Sequence, residues 1–141
     1  MRDHQRAQHR PRHARGDGGS ASLEIAILGP VLLLLVFVIV QGGLWFYARN
    51  LAMAAAQEGA TAGAAYHAPT GAGSARARAF LNEQAADSLT ATTVSSSGST
   101  PTLIRIQVTG RSLSVLPGLP GLPVTQTAES PVERFTTDLN P

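Results

Sequence analysis

Ile25-Ala-Ile-Leu-Gly-Pro-Val-Leu-Leu-Leu-Leu-Val-Phe-Val-Ile-Val40 is a run of sixteen residues with no charge and no polar side chain. Glu24 stands before it and Gln41 is the first polar interruption after it. Gly42, Gly43, Leu44, Trp45, Phe46, Tyr47 and Ala48 then extend the apolar character to Arg49. A bilayer core is crossed by about 20 predominantly apolar residues. Inside hydrocarbon a single segment satisfies its own backbone groups only as a helix. The run therefore predicts a transmembrane helix. The competing reading, a buried core helix, requires more apolar surface than the rest of so short a chain supplies.

The flanks orient this helix. Arg2, Arg6, Arg10, Arg12 and Arg15 precede it against Asp3 and Asp17, whereas the near flank on the other side holds only Arg49. An arginine excess marks the cytoplasmic end, so the N-terminus is expected inside the cytoplasmic membrane and the C-terminal part outside. Trp45, Phe46 and Tyr47 then fall at the outer interface and are read as anchors there. Residues 1–19 carry the positive balance, five Arg against two Asp. From residue 20 onward six Arg face seven acids, so the basic pI does not describe the exported part. A nucleic-acid partner is not expected, because no aromatic residue interleaves the N-terminal arginines. The chain has no Cys, which excludes disulfides, thiolate metal sites and a lipid-modified Cys.

Residues 1–19 read as a basic disordered cytoplasmic leader. His4, His9 and His13 lie in it, and Pro11 argues against the helix that would bring His9 and His13 onto one face. A solvated tail is expected there, with no metal and no cofactor. Ser20 and Ser22 suit the start of the helix, and Glu24 in or near its first turn would complement the macrodipole. Against that stands the cost of a carboxylate at the edge of hydrocarbon, which argues for a partner. Gly29 and Pro30 sit inside the span, where proline removes a donor and crowds a preceding carbonyl, so a kink is expected. Beyond the span, residues 51–58 have high helix propensity. The helix is therefore expected to run from about 20 to 66, roughly 70 Å at 1.5 Å per residue. Its outer half is almost all Ala and Gly, which lets another helix or a sheet approach closely. Gly59-x-x-x-Gly63 matches the membrane helix-pairing spacing but lies beyond the span.

Residues 67–141 are expected to form a small extracytoplasmic α+β domain. A second helix is read over 74–89, with Ala77, Phe80, Leu81, Ala85 and Leu89 on one stripe and Arg76, Arg78, Glu83 and Asp87 facing away. Residues 103–109 alternate, with Ile104, Ile106 and Val108 on one face, and form the clearest strand. Residues 90–94 are its hairpin partner, and 124–135 a third strand interrupted by Pro131, which suits an edge. Between them, Leu116-Pro-Gly-Leu-Pro-Gly-Leu-Pro123 is a connector of turns and extended backbone, too short for collagen. The sheet is thus antiparallel, of two to three strands.

The sequence Gly18-Gly-Ser-Ala-Ser-Leu-Glu-Ile-Ala-Ile-Leu-Gly-Pro-Val-Leu-Leu-Leu-Leu-Val-Phe-Val-Ile-Val-Gln-Gly-Gly43, with its basic leader and alanine-rich continuation, resembles the TadE/TadG-like family. These are pseudopilin-like components of tight-adherence, or Flp-type, pilus assembly systems. Glu24 and Pro30 keep the family's spacing of six residues. The resemblance implies a pilin-like fold, related pilin-like subunits and assembly machinery as partners, and membrane lipid around the helix. It also implies a prepilin peptidase cutting between Gly19 and Ser20, which makes Glu24 the fifth residue of the mature chain. Glu24 would then pair with the freed amine of a neighbouring subunit. Ser20 departs from the bulky apolar residue that usually follows the cut, so a retained leader is the alternative.

An enzyme is not expected: the exported part has one His, His67, no Cys, and no sequence arrangement of nucleophile and base. The remaining alternative is a secreted or signal-anchored protein unrelated to pili, with residues 1–56 serving only for export or anchoring and a cut near Ala54–Ala56.

Overall fold

The computed structural model describes residues 18–85 and 87–134. The expected leader, with His4, His9 and His13, lies outside these residues up to position 17, as do Phe135 and the tail. Helix α1 runs Gly18–Ala64. A tight left-handed position at Gly71 (φ 85°) then starts α2, Ala72–Phe80, which continues into a π-helical turn, Leu81–Ala85. Three strands follow: β1, Leu89–Ser95; β2, Leu103–Ser112; and β3, Pro123–Pro131. They form one antiparallel meander in the order β1-β2-β3. The fold is α+β, a long apolar helix followed by a small helix-and-sheet domain, as the sequence implies.

The described chain divides into two compact units between Val36 and Phe37. In the first, every side chain from Ser22 to Val36 is exposed. In the second, the rest of α1 is built into the domain. Ala48, Ala52, Ala55, Ala56, Ala60 and Ala64 are buried, with Trp45 and Leu51 partly so. The spacings of three and four place these residues on one stripe. Each methyl contributes only about 0.8 kcal/mol by burial, but small side chains let the partners come close. A Cβ built on Gly59 would lie 2.7 Å from the Gly73 carbonyl oxygen and 2.9 Å from the Ala77 methyl. A Cβ on Gly73 would lie 2.7 Å from the Gly59 carbonyl oxygen. The Gly59-x-x-x-Gly63 spacing thus serves packing between α1 and α2 of the same chain. A cut near Ala54–Ala56 would remove Ala48 and Ala52 from this stripe.

The second helix departs from expectation at both ends. It begins two residues before Ser74, because Gly71 adopts the left-handed conformation that turns the chain into it. It ends at Ala85, and Leu89 opens β1 instead. The expected stripe is kept: Ala77, Leu81, Ala85 and Leu89 are buried and Phe80 is partly buried. In the sheet, Ile106 and Val108 on β2 are buried, and Val124 and Ala128 on β3 join them. On β1 the buried residues are Leu89 and Val94, five apart, an odd separation that an unbroken strand would place on opposite faces. The register explains this. Thr90 pairs with Arg111 and Thr93 with Thr109, so two β1 residues oppose Gly110 alone. That bulge, with Ala91 at φ 49°, restores the core face for Val94. Strand β3 is an edge as expected, but Pro131 ends it, paired with Leu103, rather than interrupting it. The last carbonyl of α1, on Ala64, accepts the Glu133 N–H at 2.9 Å, which ties the end of the helix to the chain beyond β3.

Candidate functional site: the apolar helix and the loop beside its end

In the first unit, Ile25 is 71% exposed and Leu34 67%, and the intervening large apolar side chains are all exposed. The helix from Ser22 to Ala64 is, by length and composition, long and apolar enough to cross a membrane. Helical structure continues unbroken through Gly29 and Pro30. Glu24 is exposed and lies six residues beyond Gly18. No acid occupies the first helical turn. The macrodipole therefore does not account for Glu24, because its effect fades beyond that turn. Gly19 and Ser20 are within the helical backbone at its start.

In the second unit, the exposed apolar face continues through Phe37, Val38, Ile39 and Val40 and stops at Gln41. The Gln41 side chain spans a loop that begins seventy-two residues later: its Nε2 donates to the Leu113 carbonyl at 3.1 Å, and its Oε1 accepts the Val115 N–H at 3.1 Å. These two bonds also fix the orientation of the amide. One turn on, the Trp45 indole N–H donates to the Pro123 carbonyl at 3.1 Å, and the Arg49 guanidinium lies 5.7 Å from the Trp45 ring centre, a cation–π contact. Trp45 is therefore partly buried and held by the domain, while its neighbours Phe46 (58%) and Tyr47 (51%) stay exposed. The sequence marks Gln41 only as a break in an apolar run. Its partner could not be read there, since nothing local signals Leu113 or Val115.

The loop between β2 and β3 is closed at its neck. The Ser112 N–H donates to the Leu122 carbonyl at 2.9 Å, and the Leu122 N–H donates to the Ser112 hydroxyl at 3.1 Å. Within the loop, the Leu119 N–H reaches the Leu116 carbonyl at 3.2 Å across Pro117-Gly118. Gly118 has φ 78°, so this is the proline-then-glycine turn the sequence favours. A side chain at Gly121 would collide with the Ser112 carbonyl.

Elsewhere, a hollow of about 430 Å³ opens among His67, Ser74, Ser96, Ser99 and Thr100. Ser99 is spent on the backbone there, donating to the Arg105 carbonyl at 3.0 Å and accepting the Arg105 N–H at 2.9 Å. His67 is exposed and meets the Tyr66 ring edge-on at 4.0 Å. No carboxylate is among the described residues that line this hollow.

No curated protein and no solved structure matches the chain. Residues 19–61 match the family model described as TadE-like protein, a stretch that holds Glu24, Pro30, Gln41, Trp45 and most of the alanine stripe. Over residues 19–61, most of the helix that carries an exposed apolar run and the alanine stripe, the chain is thus similar to TadE-like proteins.

Proposed function

We propose that the chain is a non-catalytic, single-pass pseudopilin that acts in assembly of a pilus or secretion apparatus by lateral association with related subunits. One observation carries this reading: the TadE-like segment coincides with a helix whose residues 25–40 offer only apolar side chains to their surroundings and whose last part belongs to the core of its own domain. Such a helix holds the domain at the membrane and leaves one apolar surface for lipid or for the helices of neighbouring subunits. The arginine excess of residues 1–19 keeps the N-terminus in the cytoplasm and puts the domain outside. Phe46 and Tyr47, with Trp45, lie at the outer interface.

Glu24 is the pairing group. A lone carboxylate at the edge of hydrocarbon is costly, and a neighbour's amine would neutralise it where the low dielectric strengthens the attraction. A prepilin peptidase that cuts between Gly19 and Ser20 would supply that amine. Mass spectrometry of the membrane fraction tests the cut: the expected mature chain begins at Ser20. Glu24→Ala tests the pairing: the variant should insert into the membrane at wild-type levels and fail to support pili. Normal assembly by that variant would refute the role. Deletion of the gene should abolish pili or the export of pilus components, and unchanged piliation would sink the assembly reading.

A further inference from the structure

The loop 113–122 has no part in the function so far, and three of its properties belong together. It is apolar and exposed, with Leu113 42%, Leu119 59% and Leu122 45% accessible. Its own residues are uncharged, as is the whole stretch from Ser112 to Ala128, and the Arg111 guanidinium at its neck donates to the Gly121 carbonyl at 3.2 Å. And its N–H groups are largely removed or spent. Pro117 and Pro120 have none, Val115 donates to Gln41, Leu116 to the Ser114 hydroxyl at 3.3 Å, Leu119 to Leu116, and Leu122 to Ser112. Irregular backbone resists entry into lipid because of unmet polar groups and charges. This loop has no charged residue and part of its backbone bonded, which suits the headgroup–acyl boundary rather than the hydrocarbon core.

Its position is fixed by Gln41. Twenty residues counted from Ile25, the length that spans hydrocarbon, end at Leu44, so Gln41 and Trp45 bracket the outer boundary of the span. The two Gln41 bonds hold the start of the loop at that level, at the residue that directly follows the exposed Phe37–Val40 run in the helix. The apolar loop is thus tied to the helix at the residue that ends its apolar run.

We infer that loop 113–122 is a second membrane-contacting element, seated in the outer headgroup–acyl boundary beside the helix, with Leu119 and Leu122 as its inserted side chains. The inference rests on the membrane-spanning reading of α1. Its occupant is lipid, and the loop sets the depth and rotation of the domain on the bilayer in a way that one helix alone does not.

The chain has no Cys, so single cysteines label cleanly. Full-length Leu119→Cys, Leu122→Cys, Ile39→Cys and Ser97→Cys, each carrying an environment-sensitive fluorophore, are reconstituted in phosphatidylcholine vesicles with a phosphatidylglycerol fraction. Ser97 lies in the β1–β2 turn, at the other end of the sheet from the loop. Lipids spin-labelled high on the acyl chain should quench most of the emission at Ile39, Leu119 and Leu122, and iodide should quench only Ser97. Iodide access at Leu119 and Leu122 equal to Ser97, with Ile39 still quenched by lipid, overturns the loop inference and leaves the span intact. An iodide-accessible Ile39 overturns the span and the inference together. Protection of the loop that disappears as the protein-to-lipid ratio is lowered assigns the surface to a second copy of the chain, and overturns lipid as its occupant.

Discussion

Replacing Gly59 by alanine is the sharpest test of how α1 serves the domain. On propensity alone the change should help, since glycine in a helix interior costs about 1 kcal/mol relative to alanine. The surroundings oppose it. The new methyl would lie 2.7 Å from the Gly73 carbonyl oxygen and 2.9 Å from the Ala77 methyl, and neither neighbour can rotate away. Overpacking of this kind costs about 1–3 kcal/mol, and rigid neighbours put the value in the upper part of that range. The net expectation is a loss of about 1–2 kcal/mol. Gly63→Ala meets Ile104 Cγ2 at 3.0 Å, a side chain that can shift, and the Gly73 Cα at 3.2 Å, so it should cost less than Gly59→Ala but more than nothing. Gly43 has nothing within 4 Å, so Gly43→Ala should cost nothing. Trp45 is the one tryptophan of the chain and its indole is bonded to Pro123, so its emission follows release of the domain from the helix. Urea titration of the full chain in lipid nanodiscs reads the effect. With a slope of about 1 kcal/mol per molar, the Gly59→Ala midpoint should fall by about 1–2 M. Gly59→Ala combined with Gly73→Ala should cost less than the sum, because both methyls push apart the same pair of backbones. A Gly59→Ala midpoint equal to that of Gly43→Ala would refute the close-approach argument.

Ile106 is 1% exposed on the central strand and reaches toward Gly59 and Gly73, so Ile106→Ala should cost about 2–5 kcal/mol, much of the stability of a domain this size, and show as a collapse of protease resistance. Gln41→Leu removes both bonds to the loop and leaves the Leu113 carbonyl and Val115 N–H to find other partners; a loss of about 1–2 kcal/mol and faster amide exchange confined to residues 113–122 are expected, and unchanged exchange there would contradict the tether. Arg105 pairs with Glu129 across β2 and β3, but both side chains are about half exposed. Glu129→Gln should therefore cost under about 1 kcal/mol, and that difference should shrink further in high salt.

Much of the fold was legible because its signals are local. The exposed apolar run is one unbroken string of residues. The alternation of Ile104, Ile106 and Val108 needs only a period of two, and the Leu-Pro-Gly turn needs only proline before glycine. What was hidden depends on residues far apart. The alanine stripe reads as weak helix surface until Gly73, Ala77 and Ile106 are set against it, and its pairing spacing points equally well to another membrane helix. The second helix was read through to Leu89 because the 3.6-residue stripe runs on without a break, while the π-helical turn and the change to strand leave no mark in hydrophobic spacing. Of the candidate site, Glu24, Pro30 and the aromatic triplet stand out by composition. The bonds from Gln41 to Leu113 and Val115, and from Trp45 to Pro123, span more than seventy residues and could not be seen before the fold was known.

The bulge in β1 absorbs one residue more than a regular ladder would hold. Thr90, Ala91, Thr92 and Thr93 are all exposed, so most small polar residues would serve in their places. Deleting Ala91 or Thr92 would leave a single residue opposite Gly110, so the bulge would vanish while Val94 kept Val108 as its partner and its place on the core face. Variants of this hairpin should therefore tolerate the loss of one residue between Leu89 and Val94, whereas an added residue would need a second irregularity to keep Val94 inward.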